Sequence, residues 1–314
     1  MENRRSFLQK SGLVLAQIPL MNIAAMAGSK PQATSNPVCI YSKHLHWLDF
    51  REMGIYARDL GFDGIDLTVR KGGHVAPELA ESLLPKAIEE ITSSGIIVPM
   101  MVTDINSADD ALTEKIVKTA AASGIKFYRF AYYRYTQEGS IPSQLDDFRR
   151  KIEKLAELNA KYNIHGAYQN HAGDYVGASV WDIWYLINGL DSRYIGVQFD
   201  PRHAVVEGGE SWQVDMRLVK DYIHCSIMKD FLWEKEDKWM VKNTPLGEGM
   251  VDFSQYFNLY KQFNLSGPIS LHVEYPIFPE PEEKYSKEEK NKIAERVFTP
   301  ELAFIRDQLK KAGI

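Results

Sequence analysis

From Val38 to the C-terminus the chain of 314 residues alternates, eight times over, a short apolar run with a longer stretch of helical spacing. The apolar runs lie in Val38–Leu45, Asp63–Val69, Ile96–Val102, Phe127–Tyr133, His165–His171, Ile195–His203, Tyr222–Lys229 and Pro268–Tyr275. The helical stretches are Leu48–Leu60, Pro77–Ser94, Asp109–Ser123, Gln144–Tyr162, Val180–Leu190, Trp212–Lys220, Phe253–Phe263 and Pro300–Lys311, several closed by a glycine. The period is roughly thirty residues, the size of one strand–helix–strand unit, and such alternation gives a parallel sheet. Eight units within 38–314 predict one closed (β/α)8 TIM barrel. A doubly wound open sheet is the alternative; no Gly-x-Gly-x-x-Gly follows the first strand and no P-loop occurs, which disfavours it.

The first residues belong to a different design. Arg4 and Arg5 precede an apolar stretch, Gly12–Ala27, that ends in Ala25-Met26-Ala27. This is the layout of a secretory signal peptide, and the paired arginines followed by Ser-Phe-Leu match the twin-arginine export type. Residues 1–27 are therefore expected to be a removable leader, 28–37 a flexible lead-in, and the mature protein periplasmic or otherwise extracytoplasmic. Gln17, Pro19 and Asn22 interrupt a segment too short to span a bilayer, so no membrane span is expected once the leader is removed. The net charge of −5 gives no reason to expect a nucleic-acid partner, and two cysteines, Cys39 and Cys225, cannot form a disulfide scaffold.

The apolar runs change character at their ends. Ile195–Phe199 runs into Asp200, Pro201, Arg202 and His203, and Pro201 cannot continue a ladder. Strand two ends in Arg70, Lys71 and His74, strand five in Gln169, Asn170 and His171, and strand seven in Lys229 and Asp230. Parallel barrels place their chemistry at these carboxyl ends. Residues two apart in a strand share a face. One face therefore carries His165, Ala167, Gln169 and His171 on strand five, Gly196, Gln198 and Asp200 on six, Cys225, Ile227 and Lys229 on seven, and Ser270, His272 and Glu274 on eight. The opposite set on strands six and eight (Ile195, Val197, Phe199; Ile269, Leu271, Val273) is apolar and suits packing against helices. The polar set then faces the barrel interior, where burial costs free energy unless groups are paired. A functional cavity accounts for it; a satisfied interior hydrogen-bond network is the alternative.

On these residues the chain resembles the xylose-isomerase-like sugar phosphate isomerase/epimerase family, over about Val38 to Leu309. Asp200-x-x-His203, Lys229-Asp230, Gly247-Glu248-Gly249 before Val251-Asp252-Phe253, and Glu274 carry the resemblance. It implies a divalent metal (manganese, magnesium or zinc) held by Glu, Asp, His and Glu from strands five to eight, polarising a sugar carbonyl. Asp200 and Glu274 match two of those ligands, and His203 matches the residue that contacts the sugar. Two positions depart: Gln169 stands for the strand-five Glu and Ile227 for the strand-seven His. An amide is a weak ligand and isoleucine is none, so a metal is expected to be weakly held or absent.

The expected activity is that of an exported sugar isomerase, epimerase or lyase acting next to a carbonyl of a sugar or keto-sugar. Glu274 is expected as the base, its carboxyl raised by burial between Val273, Tyr275 and Pro276. Asp200 stays anionic and orients the substrate. Lys229 either faces the sugar oxyanion or simply pairs with Asp200 or Glu274. Gln169, His171, His203, His272, Arg129 and Arg70 are expected to contact the substrate, and Arg70 and Lys71 could take an acidic group. The partner is then a small carbohydrate, with a homo-oligomer expected. A non-catalytic sugar-binding barrel is the competing reading. A nuclease on the same barrel is a third, disfavoured by the acidic charge and the missing ligands.

Overall fold

The computed structural model describes residues 35–314. The leader and most of the lead-in lie outside the described residues. The strands are β1 (Val38–Tyr41), β2 (Gly64–Val69), β3 (Ile97–Thr103), β4 (Phe127–Arg129), β5 (His165–Gln169), β6 (Ile195–Phe199), β7 (Ile223–Met228), β8 (Asp230–Lys235), β9 (Trp239–Thr244) and β10 (Ile269–Leu271). All but β8 and β9 form a closed parallel barrel in chain order, sealed by β1 against β10 through Val38–Ile269 and Cys39–Ser270. The eight-unit expectation therefore holds.

Around the barrel run α1 (Phe50–Leu60), α2 (Ala80–Thr92), α3 (Thr113–Ala122), α4 (Ile141–Tyr162), α5 (Val180–Ile187), α6 (Pro201–Gly208), α7 (Trp212–Val219), α8 (Phe253–Gln262) and α9 (Lys287–Ala312). Outward strand residues such as Ile65, Leu67, Ile195, Val197 and Phe199 pack with helix residues such as Met53, Leu84, Ile116, Leu155 and Ile183 in one continuous core. The lower barrel interior holds a separate small cluster of Met100, Ala167 and Cys225. Below the site Gly196 is obligatory in size, because a Cβ there would stand 2.2 Å from the Tyr222 carbonyl oxygen.

Five elements differ from the sequence reading. Strand four stops at Arg129 and strand eight at Leu271, so Tyr132, Tyr133 and Glu274 lie on the following loops. The stretch after Lys229 is a hairpin, β8 paired with β9 from Asp230–Thr244 to Lys235–Trp239. A short helix, α6, follows Asp200 directly. The last helix starts at Lys287, capped by Ser286 and Glu289, and carries Pro300 in its interior. Ser35–Pro37, read as flexible lead-in, are tied down: the Ser35 carbonyl accepts from Gly267 N–H at 2.9 Å and that of Pro37 from Ile269 N–H at 2.9 Å.

Candidate active site at the carboxyl end of the barrel

Asp200 is placed by two local rules. It ends β6, and its side chain caps α6 by accepting from the His203 N–H at 3.2 Å, with Pro201 in the first turn. Its backbone is clamped by Asn170, whose amide exchanges hydrogen bonds of 2.8 and 2.9 Å with the Asp200 main chain. The carboxylate is fully buried, and its free oxygen, Oδ2, becomes a hub.

Lys229 Nζ lies 3.2 Å from Asp200 Oδ2 and 3.6 Å from Glu274 Oε1. On the other side the Gln169 amide donates to Asp200 Oδ2 at 2.8 Å. The Gln169 carbonyl oxygen accepts from Arg129 Nη1 at 2.9 Å and from the Tyr132 hydroxyl. Arg129, Gln169, Asp200, Lys229 and Glu274 thus form one chain of contacts spanning β4 to the loop after β10. The lysine pairs with both carboxylates considered for it.

His203 lies beside the lysine, its Nε2 3.3 Å from Lys229 Nζ and 3.6 Å from Asp200 Oδ2. Its Nδ1 accepts from Ala172 N–H at 3.2 Å and from Arg202 Nη1 at 2.8 Å. The Lys229 ammonium is a donor too, so both ring nitrogens face donors. Burial, and then the Lys229 charge, hold the imidazole well below its ordinary pKa, so the ring is neutral. His171 packs on it, the ring centres 4.0 Å apart and the planes tilted by 32°.

Two expected contacts fall elsewhere. His272 faces Asp66, its Nε2 3.4 Å from Asp66 Oδ2, and stacks on Tyr41 at 4.0 Å. Arg70 lines a cavity of about 440 Å³ with Lys43, His46, Thr68, Gly72, Gly73 and His74.

The expectation for Glu274 is corrected. Its side chain is 34% exposed and opens onto a cavity of about 390 Å³ bordered by Lys43, Trp47 and Phe278. Burial is the largest single influence and pushes the carboxyl up, but Lys229, Lys43 and His44 together outweigh it and leave the pKa below the ordinary glutamate value. Asp66, which the sequence reading passed over, behaves as Glu274 was expected to. It is fully buried in β2, accepts from Ser270 Oγ at 2.7 Å, and burial raises its carboxyl to about 7 against the opposing effects of Ser270, Arg129 and Arg70.

The donors do not fit a four-ligand divalent ion. The two carboxylates are already bridged by an ammonium group, Ile227 is wholly buried apolar surface, and Gln169 turns its donor, not its acceptor, toward Asp200. Among the described residues no group of three or more His, Cys, Asp or Glu side chains stands ready to share an ion.

The Lys229-Asp230 and Gly247-Glu248-Gly249 motifs are joined. Asp230 accepts from the N–H groups of Phe231, Gly247, Gly249 and Val251 at 2.8–3.1 Å. A Cβ on Gly249 would sit 2.1 Å from that carboxylate. Asp230 is a loop clasp that seats its neighbour Lys229. The β8–β9 hairpin is tied to the same end through Asn243, which accepts from Arg202 Nη2 at 2.7 Å and donates to the Glu274 carbonyl at 3.3 Å.

A closed parallel barrel with a chain of polar and charged side chains across its carboxyl end defines a TIM-barrel protein. The chain belongs to the xylose isomerase-like TIM barrel family, whose profile matches residues 55–296. No curated protein matches it significantly. Solved structures similar to it include an L-ribulose 3-epimerase, TM-score 0.63 at 15% identity over 88% of this chain and 95% of that one. An apo 3-keto-D-glucoside 4-epimerase from E. coli matches with TM-score 0.62 at 15% identity, over 86% and 99% of the two chains. A D-psicose 3-epimerase in the presence of D-fructose gives 0.62 at 15%, over 87% and 99%.

Proposed function

We propose that this protein is an exported sugar isomerase or epimerase that removes a proton from the carbon next to a sugar carbonyl. The observation that carries this reading is the Lys229 ammonium, held between Asp200, Glu274 and His203 at the barrel mouth. The epimerases among its structural neighbours support the substrate class.

Glu274 is the carboxylate of the cluster that opens onto a cavity, and its lowered pKa keeps it ionised and ready to accept a proton. It takes the proton of the C–H bond, whose electrons form the enolate double bond while charge moves to the carbonyl oxygen. Lys229 faces that charge, in the role a metal fills where four ligands are present. Protonation of the same carbon from the opposite face, by a donor other than Glu274, epimerises; return of the proton to the former carbonyl carbon, as the neighbouring hydroxyl passes its proton to the enolate oxygen and becomes the new carbonyl, isomerises. Asp200, Gln169 and Arg129 hold the lysine in place. His203 lies beside the lysine, its Nε2 3.3 Å from the ammonium.

The test is deuterium wash-in from D2O across a panel of keto-sugars, followed by NMR. Wild type exchanges one substrate proton. Glu274→Gln keeps the shape, abolishes exchange and still binds sugar. Lys229→Met slows exchange by roughly 10²–10³-fold, the usual cost of losing a main oxyanion donor. Wild-type exchange rates in Glu274→Gln would move the base elsewhere, and sugar binding with no exchange in wild type would make this a binding protein.

A further inference from the structure

On the β1–β2 side of the mouth lies the cavity of about 440 Å³ whose lining includes Arg70, Lys43, His46 and His74 and no carboxylate. The Arg70 guanidinium makes no ion pair or side-chain hydrogen bond among the described residues, and its Nε is buried without a partner. Lys43 is likewise in no ion pair there, and it also borders the neighbouring cavity onto which Glu274 opens. Among the described residues no group of the chain hydrogen-bonds the Arg70 guanidinium, whereas Arg129 is held by Gln169 and Tyr132 and Lys229 by Asp200.

We infer that Arg70 and Lys43 bind a carboxylate carried by the substrate, so that the sugar is an acid of the uronate or aldonate kind. This rests on the sugar isomerase or epimerase reading above and names the substrate class of that same mouth. The loop chemistry selects a carboxylate over a phosphate. Phosphate sites are built from several free backbone N–H groups. Here the N–H groups of Lys71, Gly73 and His74 are taken by Asp104, the Arg70 carbonyl and Thr68. What remains around the cavity is the Arg70 fork and the Lys43 ammonium, with the Gly72 N–H and the His46 and His74 rings beside them, and the fork and ammonium match the two oxygens of a carboxylate.

Calorimetry on the full chain tests this with D-glucuronate, D-glucose and D-glucose 6-phosphate as probes. Glucuronate binds about tenfold or more tighter than glucose, as a charge-assisted pair predicts, and salt narrows the gap. Arg70→Gln removes most of that preference while glucose affinity changes less than threefold; Arg70→Lys keeps part of it. Equal affinities for glucuronate and glucose in wild type, an equal loss for both sugars in Arg70→Gln, or tighter binding of the phosphate each overturn the assignment. Binding needs no turnover, so absent proton exchange with the acid preference intact would remove the isomerase reading alone.

Discussion

Glu274 is flanked by apolar residues, yet it reads the charges of Lys229 and of Lys43 on the turn after β1. That proximity is created by barrel closure and is invisible in the run Val273–Pro276. Because the carboxyl lies below its ordinary range, the acid limb of kcat/KM should fall below the usual glutamate pKa, and the rate should be flat through pH 5–6; a limb near neutrality would remove Glu274 as the base. Asp66 is the opposite case. Folding raises its pKa from 3.8 to about 7, so the folded state holds the proton more tightly than the unfolded chain. Its contribution to stability is complete below about pH 3.8 and is lost as pH rises to about 7. Asp66→Asn keeps a neutral group beside Ser270, so its melting temperature should show less decline across that window. At pH 8 the variant should be the more stable, by on the order of 1–3 kcal/mol. The parity that singled out Gln169, Asp200 and Lys229 applies equally to Gly64, Asp66 and Thr68, so Asp66 was legible in the sequence and the rule was carried only through strands five to eight.

At the scale of elements, long signals were readable and short ones were not. The helical stretches lie close to their observed positions because caps and periodicity agree there. β4 and β10 are three residues each, too short for alternation to mark their ends. The β8–β9 hairpin escaped because its apolar residues, Trp233 and Trp239 among them, remain exposed. For α9, Pro300 read as a first-turn residue. The Ser286–Glu289 capping box was the better signal, and the helix tolerates the proline in its interior. The clasp between Asp230 and the Gly247–Val251 loop is an element-scale device that the motif reading treated as site chemistry. Asp230→Ala leaves four N–H groups without their acceptor and should destabilise by roughly 2–4 kcal/mol in urea unfolding. An unchanged midpoint would show that the loop holds itself.

For the whole molecule, closure of the barrel was legible because eight repeats of one size leave few other architectures, and the parallel order bears this out. What no repeat could supply is the cross-barrel contact list, which joins residues far apart in the chain at a single mouth. The expectation of export has its own test: replacing Arg4 and Arg5 by lysine should leave uncleaved precursor in the cytoplasm, and normal export of that variant would contradict it. The barrel also has a direction. Ser35–Pro37 lead into β1 at its amino end, bonded to Gly267 and Ile269, while Arg70, Lys229 and Glu274 all lie past the carboxyl ends of their strands. From Ser35 onward the chain therefore enters the barrel at its base, and every charge proposed to meet the sugar lies at the far rim.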